Sequence, residues 1–139
     1  MGREARGRAA RVRPQDARRH APEPGRREPR RGDVEGRDCV LVDDLIDTGG
    51  TIAEAVRVIL AAGARSVIVA ATHGVLSDPA AQRLSECGAS EVVITDTLPI
   101  AADKQFPQLT VLSIAPLIAR AIREVFDDGS VTSLFDGNS

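Results

Sequence analysis

The chain has 139 residues and a formal net charge of −2, one domain's worth of sequence whose charge is unevenly distributed. Residues 1–32 hold 11 Arg against four acids, a net of +7, with Val12 the only β-branched or larger aliphatic after Met1, so they cannot build a core. Residues 33–139 hold seven Lys or Arg against 16 acids, a net of −9, and carry every Leu, Ile and Phe. Residues 1–31 are accordingly expected to be a disordered Arg/Pro/Gly-rich segment, and 32–139 one folded domain. An acidic domain with no Trp, no Tyr and three Phe lacks both the basic track and the stacking platforms of a nucleic-acid binder. No apolar run reaches the roughly 18 residues of a membrane span, and no apolar stretch follows the basic start as a secretory signal requires, which points to a cytoplasmic chain. Cys39 and Cys87 have no metal-ligand spacing and read as small buried hydrophobes.

From Asp33 onward, apolar runs alternate with helical periodicity, the pattern of an α/β fold with a parallel sheet. Cys39–Asp43 (CVLVD) reads as a buried strand. A polar turn, Asp44–Thr51, follows, then Ile52, Val56, Ile59 and Leu60 at helical spacing, closed by Gly63. Ser66–Ala71 is the next strand and Thr72–Ser77 a loop. Asp78 as N-cap and Pro79 at the first helical position open a short helix ending near Gly88. Glu91–Thr95 and Leu109–Ile114 read as two more strands. Pro116 starts an amphipathic helix with Leu117, Ile118, Ile122, Val125 and Phe126 on one side. Four strands and three helices are expected, and a sheet whose first strand begins so early in the foldable sequence has edges for a missing half or a partner to cover.

The informative segment is Val40–Thr51, VLVDDLIDTGGT. A buried strand ends in Asp43 and Asp44, and Asp47, Thr48, Gly49, Gly50 and Thr51 lead into a helix. Ligands of open α/β sheets bind beyond the carboxyl ends of the strands, where backbone N–H groups of a Gly-rich turn and a helix N-terminus can surround a phosphate. Carboxylates beside a phosphate would repel it, so Asp43 and Asp44 should face sugar hydroxyls or Mg²⁺, and a sugar phosphate meets both demands. Asp47-Thr48-Gly49 imitates an aspartic-protease turn, but that fold is nearly all β and here a 3.6-residue period follows. A triphosphate loop with Gly-Lys-Ser or Gly-Lys-Thr is absent, as is a dinucleotide Gly-x-Gly-x-x-Gly. Simple helix capping would need one acid, not three. His73 reads equally as a hydrogen-bonded loop residue or an active-site one, Ser77 and Asp78 as caps, and Asp127 and Asp128 as a solvated helix exit.

VLVDDLIDTGGT resembles the phosphoribosyl-diphosphate signature of the type I phosphoribosyltransferase fold. With GDVEG at Gly32–Gly36, AGARSV at Ala62–Val67, ATHGVLS at Ala71–Ser77, LSIAPLIARAIR at Leu112–Arg123 and SVTSLF at Ser130–Phe135, the chain resembles the ribose-phosphate pyrophosphokinase family over residues 32–135. The resemblance is to the C-terminal half of that family's two-domain chain. It implies a phosphoribosyltransferase-like parallel sheet flanked by helices, and transfer of a diphosphoryl group from Mg·ATP to ribose 5-phosphate in nucleotide biosynthesis. Carried over by resemblance, Asp43 holds the ribose hydroxyls and Asp47, Thr48, Gly49, Gly50 and Thr51 bind the 5-phosphate. Asp44 is a candidate contact to the sugar or to Mg²⁺, and Ser130, Thr132 and Phe135 match a tail that lines a regulatory site for phosphate or ADP at a subunit interface. A homo-oligomer is implied, with Mg²⁺ as cofactor and ATP as co-substrate.

The same resemblance exposes what is missing. The family's metal-binding His and its ATP-binding elements belong to the other domain, and its cationic loop before the Asp pair holds a Lys and an Arg. At that distance stand Asp16, Ala17, Arg18 and Arg19, and the only Lys of the chain is Lys104. No catalytic residue and no metal ligand are assigned on this chain, which is expected to be inactive alone and to meet ATP only if the missing half is supplied. Arg, Pro, Gly and Ala without periodicity over residues 1–31 are what GC-rich DNA yields out of frame; a basic arm for nucleic acid or an anionic surface and a solvated tail without function are the alternatives. Two competing functions stay open. One is a salvage phosphoribosyltransferase, disfavoured by ATHGVLS and SVTSLF; the other is a non-catalytic subunit that associates with a complete synthetase.

Overall fold

A computed structural model describes Ala10–Val12 and residues 34–132. In chain order the strands are β1 (Ala10–Val12), β2 (Asp38–Ile46), β3 (Ser66–Gly74), β4 (Glu91–Thr95) and β5 (Leu109–Leu112). The helices are α1 (Gly50–Ala61), α2 (Ala80–Glu86) and α3 (Ala115–Phe126), and a 3₁₀ turn covers Ala102–Lys104. All strand pairs are parallel and the sheet order is β1-β2-β3-β4-β5. The fold class is thus α/β, with a parallel sheet flanked by helices.

The strict alternation of strand residues sorts the two faces of the sheet. Cys39, Leu41, Val67, Val69, Val92 and Ile94 are buried on the face taken by the helices. Against them α1 packs Ile52, Ala53, Ala55, Val56 and Ile59, and α2 packs Ala80 and Leu84. Val40, Val42, Ile68, Ala70 and Val93 alternate with that set and are only half-buried. Helix α3 buries none of its residues; Ile122, Val125 and Phe126 are 55%, 64% and 85% exposed. Its N-terminus is nevertheless held, because Asp96 at the end of β4 accepts a hydrogen bond from the Ile114 N–H at 2.9 Å. Bonding from Ser113 and from that N–H keeps the Asp96 carboxyl below its ordinary range.

Several expectations shift. Four strands were to be found, and a fifth, Ala10–Val12, pairs with Cys39–Leu41 inside the segment expected to be unstructured; backbone ladder bonds need no apolar side chains. β2 and β3 each run three residues past their expected ends, with Leu45 paired to His73 and Ile46 to Gly74. Asp43 and Asp44 therefore lie within a strand, and Thr72–Gly74 is strand rather than loop. The ladder continues because its partners are backbone groups, indifferent to the side chains becoming polar. Gly74 permits this: a Cβ there would stand 2.5 Å from Ile94 Cδ1. β5 stops at Leu112, two residues early, where Ser113 turns to bond the Ala115 N–H. Asp78 does not cap α2. Pro79 occupies the cap position without a side-chain bond, and the Asp78 carboxylate pairs instead with Lys104 from the 3₁₀ turn. Gly63 does close α1, donating to Leu60 O at 2.9 Å with φ +92°. Cys39 and Cys87 are buried free thiols, and Asp127 and Asp128 form an exposed helix exit.

The N-terminal ends of β2 and β3 are clamped by polar contacts. Arg65 Nε and Ser66 Oγ both donate to Asp38 Oδ1, at 2.8 and 2.7 Å, and Arg65 pairs with the second carboxylate oxygen. These two partners hold the Asp38 carboxyl down to about 2. A depressed carboxyl pKa contributes stability that is present above the unfolded value and lost as pH falls through the folded one. Asp38→Asn should therefore lower the unfolding midpoint at pH 6, and the gap to the parent should close between about pH 4 and pH 2. Denaturant melts across that range check it; a constant gap would show that the charge is not responsible. Because the pair is exposed, added salt should narrow the gap as well.

Candidate functional site

The carboxyl end of β2 runs into α1 through only three residues, Asp47–Gly49. The reversal is made by Gly49, which caps α1 in the left-handed region at φ 70°. A side chain there would be strained by conformation and would also meet Leu84 Cγ at 3.3 Å and the Ala80 backbone at 3.5 Å. Helix α2 thus presses on the outside of the turn. The first helical bond of α1 runs from Ala53 N–H to Gly49 O, at 2.9 Å, and no side chain caps the helix. The N–H groups of the first turn have no intrahelical acceptor and carry the positive end of the helix dipole.

Gly50 differs from Gly49. Its φ is ordinary, and a Cβ on it would find a single near neighbour, Arg83 Nη1, at 3.6 Å. The fold does not require glycine here, and a helix is better served by Ala. What the missing Cβ leaves is open space over the helix N-terminus. Asp47, Thr48 and Thr51 surround it with exposed side chains.

The acids stand at the strand end. Asp43 is half-buried and Asp44 exposed, and the Asp44 N–H donates to Asp43 Oδ1 at 2.9 Å. Burial, with the Asp44 carboxyl beside it, pushes the Asp43 carboxyl above its ordinary range even though the Asp44 N–H bond opposes the rise. A carboxyl raised in the folded state makes the fold less stable as pH climbs through its titration, so Asp43 is kept at a cost in stability. Two adjacent carboxylates can accept from vicinal hydroxyls or share a hard cation; they make no metal cage of their own, since the described residues contain no cluster of three or more His, Cys, Asp or Glu able to hold a metal ion.

The structure gathers Asp43, Asp44, Asp47, Thr48, Gly49, Gly50 and Thr51 at one end of β2, as the sequence spacing requires. His73, paired in register with Leu45, is exposed, with Nδ1 2.8 Å from Thr97 Oγ1, the hydrogen-bonded reading of that residue. Ser130 and Thr132 lie after α3, both exposed and hydrogen-bonded to each other. Phe135 lies outside the described residues, as do Asp16, Ala17, Arg18 and Arg19. Arg83 was not singled out by the sequence. It stands on α2 and donates from Nη1 to Thr48 O at 3.1 Å, a contact across 35 residues that no local pattern signals.

The family model for the phosphoribosyl synthetase-associated domain matches residues 20–136, reaching upstream of Gly32 into the Arg-rich segment. The ribose-phosphate pyrophosphokinase of Mycobacterium tuberculosis is 70% identical over 108 residues, 78% of this chain and 33% of that protein. That of Streptomyces coelicolor is 66% identical over 105 residues, 76% of this chain and 32% of that protein. Among solved structures, phosphoribosylpyrophosphate synthetase from Mycobacterium smegmatis superposes with a TM-score of 0.66 at 68% identity, over 70% of this chain and 33% of that one. The chain spans about a third of the length of the relatives it matches. With the family model matched over most of its residues, the chain belongs to the phosphoribosyl synthetase-associated domain family.

Proposed function

We propose that this chain is the ribose 5-phosphate-binding part of a ribose-phosphate diphosphokinase. The observation that carries the reading is Gly50: glycine stands at a helix start where the fold leaves room for a side chain, so the space is reserved for something else. The 5-phosphate of ribose 5-phosphate occupies that space against the N–H groups of the first turn of α1, with the Thr48 and Thr51 hydroxyls as donors. Asp43 accepts from the ribose hydroxyls and so fixes the sugar beyond the end of β2. Asp44, the more exposed of the two acids, faces the sugar or Mg²⁺. The donor set fits Mg²⁺ of the kind held by one or two carboxylates together with substrate oxygens, and the ion when bound supplies charge neutralisation at the phosphates. ATP is the co-substrate. In the whole reaction the anomeric hydroxyl oxygen forms a bond to the β-phosphorus, its O–H bond breaks, and AMP departs as the α–β bridge breaks. This chain's share is to hold the acceptor in place, which is a large part of what phosphoryl-type transfers need.

A second reading, a subunit that assembles with a complete synthetase or with copies of itself, is favoured by the half-buried apolar sheet face of Val40, Val42, Ile68, Ala70 and Val93 and by the unburied stripe of α3. The Ser130–Phe135 tail belongs to that reading as a regulatory site at the resulting interface. A cytoplasmic location suits either; no helix of the described residues is long and apolar enough to cross a membrane.

Ribose 5-phosphate should bind at about millimolar affinity in a calorimetric or NMR titration. Gly50→Ala should leave the thermal midpoint equal or raised and weaken binding at least tenfold, because the methyl fills the phosphate space; unchanged affinity would show that the site is misassigned. Asp43→Asn should raise the midpoint at pH 7, by removing a partly desolvated charge, while weakening the sugar phosphate and leaving inorganic phosphate unaffected. The chain alone should release no AMP from Mg·ATP and ribose 5-phosphate. Losing one electrostatic donor commonly costs about 10²- to 10³-fold in rate, and the groups expected on ATP lie outside these residues. Turnover abolished by Asp47→Ala would refute that expectation.

A further inference from the structure

Three acids, Asp43, Asp44 and Asp47, stand at or beside the turn, so an anion held there gains from a positive side chain close by. We propose that Arg83 is that cation: its guanidinium forms one wall of the phosphate cradle and binds the phosphate directly. This rests on the reading of the Asp47–Thr51 turn as the phosphate site.

The geometry supports the assignment at three points. First, Arg83 Nη1 lies 3.6 Å from the position a Gly50 Cβ would take, so the exposed guanidinium borders that space. A phosphate oxygen in that space comes within charge-assisted hydrogen-bond reach. Second, Nη1 donates to Thr48 O at 3.1 Å. That bond tethers a long side chain over the turn, and a guanidinium carries five N–H donors in a fixed fork, more than one bond uses. It also engages the Thr48 carbonyl from the α2 side, an acceptor that would oppose an anion if it faced the cradle. Third, the helix carrying Arg83 is itself locked to the turn. Its neighbour Leu84 is fully buried and packs, with Ala80, where Gly49 has no side chain. The backbone of Arg83 therefore keeps its distance from the cradle fixed, although the side chain is exposed.

The arrangement also explains why two glycines are needed in succession. Gly49 admits Ala80 and Leu84 from α2, and Gly50 keeps the space between Arg83 and the helix N-terminus clear. The sequence-distant α2 and the local turn thus build one anion site from two elements.

Ribose 5-phosphate and inorganic phosphate, titrated into the full chain and its variants, test this. Arg83→Met should weaken both about tenfold and flatten the dependence of affinity on salt, while Arg83→Lys, which keeps the charge but not the anchored fork, should recover part of the loss. Arg57→Met removes the same charge from the exposed side of α1 and should change affinity less than twofold. If the parent binds and Arg83→Met binds equally well, the Arg83 assignment is overturned while the phosphate site stands. If the parent binds neither ligand, the phosphate site falls and the assignment with it. Equal losses in Arg83→Met and Arg57→Met would also overturn it, by showing a diffuse field rather than a contact. Thermal midpoints should agree among all four proteins, because Arg83 is exposed and its bond is to a solvent-facing turn.

Discussion

Everything at the site depends on how close α2 can come to the end of β2. The contact is made through an absence, since Gly49 offers no side chain and takes a left-handed conformation, so Ala80 and Leu84 reach the backbone itself. If that turn were held away by a Cβ, the start of α1 would have to shift relative to the end of β2. The interior is close-packed, and a gap of one methyl at such a junction has to be accommodated by moving a helix. Placement of the proposed phosphate site is in this sense a packing property, set by the contact of α2 with the turn.

Charge then decides what the junction can hold. A helix N-terminus and a bare turn attract anions in general, while Asp43, Asp44 and Asp47 repel them. The two are separated along the chain: Asp43 and Asp44 lie on extended backbone within β2, before the turn, whereas the N-terminus of α1 comes after it. A ligand that is anionic at one end and rich in hydroxyls at the other fits both, and a simple diphosphate does not. Burial first, and the Asp44 carboxyl beside it, hold the Asp43 carboxyl above its ordinary range.

Local pattern carried most of the fold. The runs CVLVD, SVIVAA and EVVIT are too apolar and β-branched to be anything but buried strands, and the spacing of Ile52, Val56 and Ile59 admits one helical face. VLVDDLIDTGGT exposed the site because its parts are contiguous. Illegible were the features made by tertiary pairing. Nothing near Asp44 or Leu45 says that the ladder will continue to Ile46, because the bonds go to His73 and Gly74 of another strand. Asp78 has the chemistry of an N-cap and lost that role to Lys104, 26 residues away. Arg83 is one unremarked charge on a short exposed helix until the fold lays it over Thr48. β1 is three residues within an Arg-rich segment, too short a run to be read as a strand from its pattern.

The same logic separates what this chain can hold from what it can complete. A parallel sheet is normally covered on both faces, because its crossover helices lie there and its strands are apolar throughout. Here α1 and α2 cover one face, and the alternate residues Val40, Val42, Ile68, Ala70 and Val93 are left half-buried. The apolar stripe of α3 is unburied too. Exposed apolar area of this kind favours association. The relatives are about three times as long as the matched segment, so in them further chain is available to meet such surfaces. The proposed phosphate cradle, in contrast, draws on the end of β2 and on α1 and α2, the helices of the covered side. On the proposed reading, binding of a sugar phosphate is the step least dependent on whatever covers the other face, and transfer chemistry the one most dependent on it.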